Sequence, residues 1–160
     1  MKDRYGREID YLRISITDRC NLRCVYCMPK DGIHQISHKE ILTYDEIKRV
    51  CQCVTTLGIH KIKLTGGEPL TRKNCSELVA MVKALPGIEK VTLTTNGVLL
   101  KDQLKDLAEA GIDNINISLD TLNKTEFHRI TRREGLSSVL ESIEEALKYP
   151  QIGLKINCVP

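Results

Sequence analysis

Three cysteines stand close together near the amino terminus, at Cys20, Cys24 and Cys27 in the run TDRCNLRCVYCMPK. Thiolates at such short spacing bind soft metals or iron–sulfur clusters. Three thiolates on a cubane cluster leave one iron open to a substrate, whereas a structural zinc needs a fourth ligand. The candidates for that fourth ligand are His34, His38, Cys51 and Cys53.

Composition narrows the class of protein. The chain has 160 residues and a net charge of +3, which suits a small anionic ligand better than a nucleic acid. Its seven cysteines are an odd number with three clustered, so we expect a reducing, cytoplasmic location and not a disulfide scaffold. No apolar run approaches the roughly 18 residues of a membrane span, and the amino terminus lacks a signal-peptide core, so no membrane partner is expected.

A repeated pattern organises the rest of the chain. Segments starting at Gly58, Gly87 and Gly111 each read as a glycine that ends a helix and then a short strand. With a first strand over 12–17 and a last one over 154–159, five strands alternate with helices, which predicts an α/β fold with a parallel sheet. The predicted helices cover residues 43–57, opened by a capping box, and then 74–87, 101–110, 123–130 and 136–148.

The strands alternate between apolar and polar residues, so each presents one apolar and one polar face. We expect helices to cover the apolar face of the sheet. The last strand contributes Leu154, Ile156 and Cys158 to that face. The polar face then lines a ligand cavity inside a partial (β/α) barrel, or is simply a solvent-exposed sheet face. Its members are Arg13, Ser15, Thr17, Lys61, Lys63, Thr65, Thr92, Thr94, Asn114, Asn116, Ser118, Lys155 and Asn157.

The chain reads as one domain over residues 1–160, without an internal linker. Pro160 follows the last strand directly, and no helix is left to cover that strand. A complete (β/α)8 barrel takes roughly 250 residues. We therefore expect the sequence to be the N-terminal part of a longer protein, truncated at its C-terminal end.

Two motifs together carry a family resemblance. The C-x3-C-x2-C spacing and the run GGEP at 66–69, which alone would read as a plain strand–helix turn, resemble the radical S-adenosylmethionine (SAM) superfamily. The runs YLRIS, TDRCNLRCVYCMP, LTGGEPL, LTTNG and NISLD resemble more closely the molybdenum cofactor GTP 3′,8-cyclase (MoaA) family. This resemblance covers nearly the whole chain.

The resemblance implies two cofactors. Cys20, Cys24 and Cys27 would hold a 4Fe–4S cluster whose open iron binds SAM. Tyr26, Gly67 and Ser118 match positions that contact SAM in the family.

The resemblance also implies a substrate. The family converts GTP to 3′,8-cyclo-7,8-dihydro-GTP through a 5′-deoxyadenosyl radical, the first step of molybdenum cofactor biosynthesis. Arg13, Lys63, Thr94 and Lys155 match GTP-binding positions, and all four fall on the polar strand face. The family commonly has Arg where this chain has Lys63, which keeps the charge but loses bidentate phosphate contact.

One departure from the family concerns a second cluster. The family holds it with three further cysteines, but after Cys27 this chain has only Cys51, Cys53, Cys75 and Cys158, in a different spacing. We therefore expect the isolated chain to bind a cluster and SAM without cyclising GTP.

Partners and rival functions follow from the resemblance too. It implies an electron donor such as flavodoxin or ferredoxin, excludes nucleic acid as a partner, and allows a homodimer. The alternatives are another radical SAM enzyme, which modifies a peptide or a tetrapyrrole, and a zinc-binding structural module.

Overall fold

The computed structural model describes residues 2–37 and 39–159. Five strands form one parallel sheet whose spatial order follows the sequence order. At least one helix lies between each pair of successive strands, so the prediction of an α/β fold with a parallel sheet is confirmed. The strands are β1 (Tyr11–Ser15), β2 (Lys61–Thr65), β3 (Lys90–Thr95), β4 (Asn114–Ser118) and β5 (Gly153–Asn157).

Five α-helices lie in the predicted places, with ends displaced by a few residues. A short 3-10 turn, Pro69–Thr71, also follows β2. The helices are α1 (Tyr44–Thr55), α2 (Cys75–Lys83), α3 (Leu100–Glu109), α4 (Lys124–Thr131) and α5 (Leu136–Ala146).

The predicted helix boundaries rest on local chemistry. The Thr43 side chain accepts from the Glu46 amide, and the Glu46 carboxylate accepts from the Thr43 amide, so the capping box before α1 is formed. Gly58, Gly87 and Gly111 have φ of 85°, 87° and 82°, the left-handed conformation that glycine adopts without a Cβ clash. These residues stop the helices and turn the chain into the next strand.

The apolar face of the sheet is covered in its centre. Ile62, Leu64, Val91 and Leu93 are fully buried in the core beneath the helices. The prediction was wrong at the far edge, because Ile156 is 42% exposed and Cys158 is also exposed. β5 is an edge strand, and no helix in the described residues follows it.

The polar face is aligned across the strands by their register. Arg13 is opposite Lys63, while Thr94 and Lys155 both lie opposite Asn116. Thr17 was wrongly assigned to this face: the strand ends at Ser15, and Thr17 is buried beneath the turn after β2.

No helix within the described ranges is long and apolar enough to cross a membrane. Two residues of the sequence predictions, His38 and Pro160, lie outside the described residues.

Candidate functional site

The three clustered cysteines lie in the loop that follows β1, which we call the cluster loop (residues 18–30). Its centre is a turn in which the amides of Cys27 and Met28 both donate to the Cys24 carbonyl, at 3.0 and 2.9 Å. The Arg23 guanidinium donates to the carbonyls of Cys20 and Leu22, both at 2.7 Å. Arg23 thus folds back over its own loop and is not the solvated charge that a surface arginine usually is.

The end of α4 holds the other side of the cluster loop. The amide of Arg23 donates to the Thr131 carbonyl and that of Val25 to the Ile130 carbonyl, both at 2.9 Å. Arg132 adds side-chain bonds from Nη1 to the carbonyls of Arg23 and Met28, at 3.3 and 3.1 Å. Arg132 has φ of 55°, which is uncommon for a residue other than glycine and fits a position fixed by its surroundings.

The Gly66–Pro69 turn packs directly against the cluster loop. The Gly67 amide donates to the Thr17 carbonyl at 2.8 Å, and the Glu68 amide donates to the Arg19 carbonyl at 2.7 Å. A Cβ added at Gly67 would lie 2.4 Å from the Arg19 carbonyl oxygen. The glycine is therefore needed for close approach of two backbones.

Glu68 joins that turn to the loop after β3. It is 1% exposed, and its Oε1 accepts from the Leu70 amide and the Thr95 hydroxyl, while its Oε2 accepts from the Asn96 amide. Burial raises the pKa of Glu68, although these hydrogen bonds oppose the shift. The carboxylate fixes the loop that carries Asn96 against the turn.

The environment of the cysteines suits thiolate ligands. All three are free, with Cys20 and Cys24 half-buried and Cys27 exposed. Burial raises the pKa of Cys20 and Cys24, and the neighbouring thiols raise the Cys24 pKa further. Metal binding must therefore displace protons from these thiols. Two donors face the Cys20 sulfur, the Leu22 amide at 3.4 Å and Asn96 Nδ2 at 4.0 Å, and both favour a sulfur that carries negative charge.

The donor set fits an iron–sulfur cluster, which binds thiolates. Among the described residues, no group of three or more His, Cys, Asp or Glu side chains is arranged around a single metal ion. Of the predicted fourth zinc ligands, Cys51 is buried within α1, and His34 and Cys53 are exposed. His38 lies outside the described residues.

Tyr26, between two of the cysteines, ties the cluster loop to the loop after β4. Its hydroxyl donates to Asp120 Oδ2 at 2.6 Å, and Asp120 Oδ1 accepts from the Val159 amide at 3.0 Å. A small cavity of about 40 Å³ is lined by Cys24, Tyr26, Asn96, Ser118 and Asp120 among others. Two of the three residues matched to SAM contacts, Tyr26 and Ser118, thus line one cavity. The third, Gly67, lies against the Arg19 backbone.

The residues matched to GTP contacts lie on the polar face of the sheet. Arg13 and Lys63 are neighbours on β1 and β2, and both reach Tyr11 on the same face. Arg13 Nε donates to the Tyr11 hydroxyl at 3.3 Å, and Lys63 Nζ lies 6.0 Å from the Tyr11 ring centroid. Arg13 and Lys155 are exposed, and Lys63 and Thr94 are half-buried, so this face is open to a ligand.

Sequence reasoning missed four residues of the site: Tyr11, Asn96, Asp120 and Arg132. Tyr11, Asn96 and Asp120 stand inside the YLRIS, LTTNG and NISLD runs, so those motifs were the available signal. Arg132 lies far along the chain from the cluster loop, and its contact depends on the tertiary fold alone.

Fold and site together define a class: a partial parallel barrel with a three-cysteine loop at the carboxyl end of its first strand. Residues 14–159 match the family model described as "Radical SAM superfamily". The chain belongs to the radical SAM superfamily.

Similar sequences come from bacteria and a eukaryote. The chain is 50% identical to a "GTP 3',8-cyclase" of Pelotomaculum thermopropionicum and 52% identical to one of Clostridium perfringens, over 99% of this chain and 49% of each relative. It is 48% identical to "Molybdenum cofactor biosynthesis protein 1" of Dictyostelium discoideum, over 99% of this chain and 25% of that relative. The chain spans about half the length of the bacterial relatives.

Solved structures agree on the fold. The chain resembles Streptococcus suis SuiB bound to S-adenosylmethionine with a TM-score of 0.72 at 19% identity, over 93% of this chain and 32% of that one. Native anSMEcpe with bound AdoMet gives a TM-score of 0.70 at 21% identity, over 92% and 43% of the two chains. The predicted partial barrel of the radical SAM type is confirmed.

Proposed function

We propose that this chain is the radical SAM part of a GTP 3′,8-cyclase that acts in molybdenum cofactor biosynthesis. The observation that carries the proposal is the side-by-side placement of Arg13 and Lys63 on an open sheet face. That face belongs to the same sheet whose first strand leads into the three-cysteine loop. The names of relatives about half identical over 99% of this chain support the choice of substrate.

In this proposal Cys20, Cys24 and Cys27 hold a 4Fe–4S cluster, and SAM binds beside it. When bound, the pair would supply one-electron reductive cleavage of SAM, and with it radical chemistry at the GTP ribose. The protein orients the three thiols: Arg23 and Arg132 hold the cluster loop by its carbonyls, and the amide of Leu22 and the Asn96 side chain donate to the Cys20 sulfur.

Tyr26, Gly67 and Ser118 are proposed as SAM contacts. The Tyr26 hydroxyl is already engaged with Asp120, which leaves the backbone of Tyr26 as the contacting group. Gly67 packs against the Arg19 backbone, so its own backbone is the group that could contact a ligand. Ser118 is exposed at the end of β4 and is open to a ligand beside Cys24.

Arg13, Lys63, Thr94 and Lys155 are proposed to bind GTP. Arg13, Lys63 and Lys155 form no ion pair with a carboxylate among the described residues, so their charge is available to a triphosphate. Charge-assisted hydrogen bonds to phosphate are the strong class of hydrogen bond. The Tyr11 ring and hydroxyl lie between Arg13 and Lys63 and restrain both cations.

Calorimetric titration with GTP tests the substrate assignment on the anaerobically reconstituted chain. Arg13→Gln and Lys63→Gln should each weaken GTP binding roughly tenfold, the loss of one charge-assisted contact. The control is Lys105→Gln, an exposed residue of α3 whose one ion pair among the described residues is with Glu109, and it should leave GTP affinity unchanged. Absence of GTP binding in the parent chain, with SAM binding retained, would reject GTP and favour the peptide- or tetrapyrrole-modifying alternative.

The proposal includes a one-electron donor, because a cluster of this kind must be reduced before SAM is cleaved. A flavodoxin or a ferredoxin fits that requirement. We also propose a cytoplasmic location, in keeping with the seven free thiols of the chain.

A further inference from the structure

A cavity of about 470 Å³ borders the start of the cluster loop at Arg19, and none of the three clustered cysteines lines it. Ile16 forms part of its wall, and Ile16 belongs to the apolar face of the sheet, opposite to the face of Arg13 and Lys63. Its volume is within the usual range for small-molecule pockets. The lining comes from three segments and consists of Ile16, Thr17, Arg19, Ile41, Thr43, Tyr44, Thr71, Arg72 and Lys73.

The charge of this cavity is entirely positive. Arg19, Arg72 and Lys73 line it, and no Asp or Glu is among the lining residues. Arg72 donates to the carbonyls of Ile16 and Leu42, and its guanidinium lies 4.3 Å from the centroid of the Tyr44 ring, so it is held in place without a carboxylate partner among the described residues. Three cations around one space attract an anion.

Arg19 carries the strongest indication. Its Nε is buried and has no hydrogen-bond partner among the described residues, and no ion pair is formed by its guanidinium there. A buried charged donor without a partner is costly, and a negative charge beside the guanidinium would offset part of that cost without a hydrogen bond to the shielded Nε. Lys73 is exposed at the rim of the cavity, and its ammonium group likewise forms no ion pair within the described ranges.

Carboxylates lie in the neighbouring clefts but form no ion pair with these cations among the described residues. Glu46 is held by the Thr43 cap, and Glu77 accepts from Asn74 Nδ2 at 2.7 Å. Asp18 lines a neighbouring cleft together with Arg72; its Oδ2 accepts from the Ile36 amide at 2.7 Å, and its Oδ1 is buried without a hydrogen-bond partner among the described residues.

We propose that this cavity is a second anion site, which binds a phosphate group through Arg19, Arg72 and Lys73. The hydroxyls of Thr43, Thr71 and Tyr44 supply further polar groups in its wall. The source of the phosphate is inorganic phosphate or a small phosphorylated metabolite, since both present the same chemistry to a guanidinium.

Occupancy of this site acts on the cluster loop through Arg19. Arg19 directly precedes Cys20, and its carbonyl accepts from the Glu68 amide. An anion that holds the Arg19 side chain therefore also restrains the backbone that leads into the first cysteine. We expect phosphate to raise the thermal midpoint of the chain and to slow loss of reconstituted iron.

Calorimetry at constant ionic strength, in chloride buffer, tests the site with inorganic phosphate and with adenosine monophosphate as the two probes. Arg19→Gln and Lys73→Gln should each bind phosphate roughly tenfold more weakly than the parent chain. The matched control is Arg49→Gln, an exposed arginine of α1 outside the cavity, which should bind as the parent does. Tighter binding of adenosine monophosphate than of phosphate assigns the site to a metabolite, and equal or weaker binding assigns it to the free ion.

Failure of the parent chain to bind either probe would overturn the proposal. Phosphate affinities of Arg19→Gln and Lys73→Gln that equal that of the control Arg49→Gln would also overturn it. Lys73→Gln keeps the test decisive if Arg19→Gln fails to fold, because Lys73 is exposed. The proposal is independent of the proposed substrate. If Arg13→Gln abolishes phosphate binding while Arg19→Gln does not, the phosphate occupies the sheet face, and the cavity proposal falls while the GTP proposal stands.

Discussion

Substitution of Gly67 by alanine tests the close contact between the Gly66–Pro69 turn and the cluster loop. The added Cβ would lie 2.4 Å from the Arg19 carbonyl oxygen, 2.7 Å from its carbon and 2.8 Å from the Asp18 carbonyl oxygen. All three are backbone atoms, and Cβ atoms essentially never approach others closer than 3.0 Å. The Arg19 carbonyl must therefore retreat by about 0.6 Å, which takes its hydrogen bond from the Glu68 amide, now 2.7 Å, out of the normal range.

The expected cost follows from these two effects. Overpacking of this kind costs about 1–3 kcal/mol, and loss of one hydrogen bond costs about 1 kcal/mol. We expect Gly67→Ala to lower the free energy of unfolding by about 3 kcal/mol, measured by urea denaturation of the metal-free chain. The variant should also retain less iron after anaerobic reconstitution, because the displaced carbonyl directly precedes Cys20.

Gly6→Ala is the control for a glycine substitution without overlap. Gly6 has φ of 77° and nothing within 4 Å of its added Cβ, so only left-handed strain is introduced. It should lower the free energy of unfolding by about 1 kcal/mol and leave iron retention unchanged. If Gly67→Ala unfolds at the parent's urea concentration and retains iron equally well, the close backbone contact is not required and our reasoning about this turn is refuted.

Four further substitutions, in three experiments, probe single contacts. Thr43→Ala removes the capping box of α1 and should cost about 1 kcal/mol of unfolding free energy in urea denaturation; no change would show that the cap is dispensable. A double-mutant cycle with Tyr26→Phe and Asp120→Ala should give a coupling energy of about 0.5 kcal/mol, small because Tyr26 is 64% exposed; zero coupling would contradict the hydrogen bond between them. Glu68→Gln should cost about 2 kcal/mol near neutral pH, because its amide nitrogen must face a donor. Because its pKa is raised, Glu68 holds its proton more tightly in the native state than in the unfolded state. The parent chain should therefore lose stability relative to Glu68→Gln as pH rises from 4.5 through the raised pKa. A difference in urea stability that does not change with pH would contradict this.

Much of the fold could be predicted because its signals are local. The Thr43–Glu46 capping box and the glycines that end the helices mark element boundaries within a few residues of sequence. Alternation of side chains along the strands separated the two faces of the sheet, since the period of two is a property of extended backbone. The coverage of those faces is not local: it depends on which helices pack on each strand, and Ile156 on the edge strand is 42% exposed.

The site was predicted unevenly for the same reason. Spacing alone identified the cysteine cluster, and strand register brought Arg13 next to Lys63 as the alternation predicted. Spacing could not indicate that Arg132 reaches the carbonyl of Met28, because the two residues are neighbours only through the packing of α4. It also could not indicate that Glu68 is buried and bonded to the loop after β3.

The central claim is that Cys20, Cys24 and Cys27 together hold a 4Fe–4S cluster with a site for SAM. Anaerobic reconstitution with iron and sulfide, followed by metal analysis and electron paramagnetic resonance of the reduced chain, tests it most directly. We expect about four irons per chain, a signal that changes on addition of SAM, and loss of both in Cys24→Ala but not in the control Cys53→Ala, an exposed residue of α1. Tight binding of one zinc, with no iron retained by the parent chain, would contradict the account.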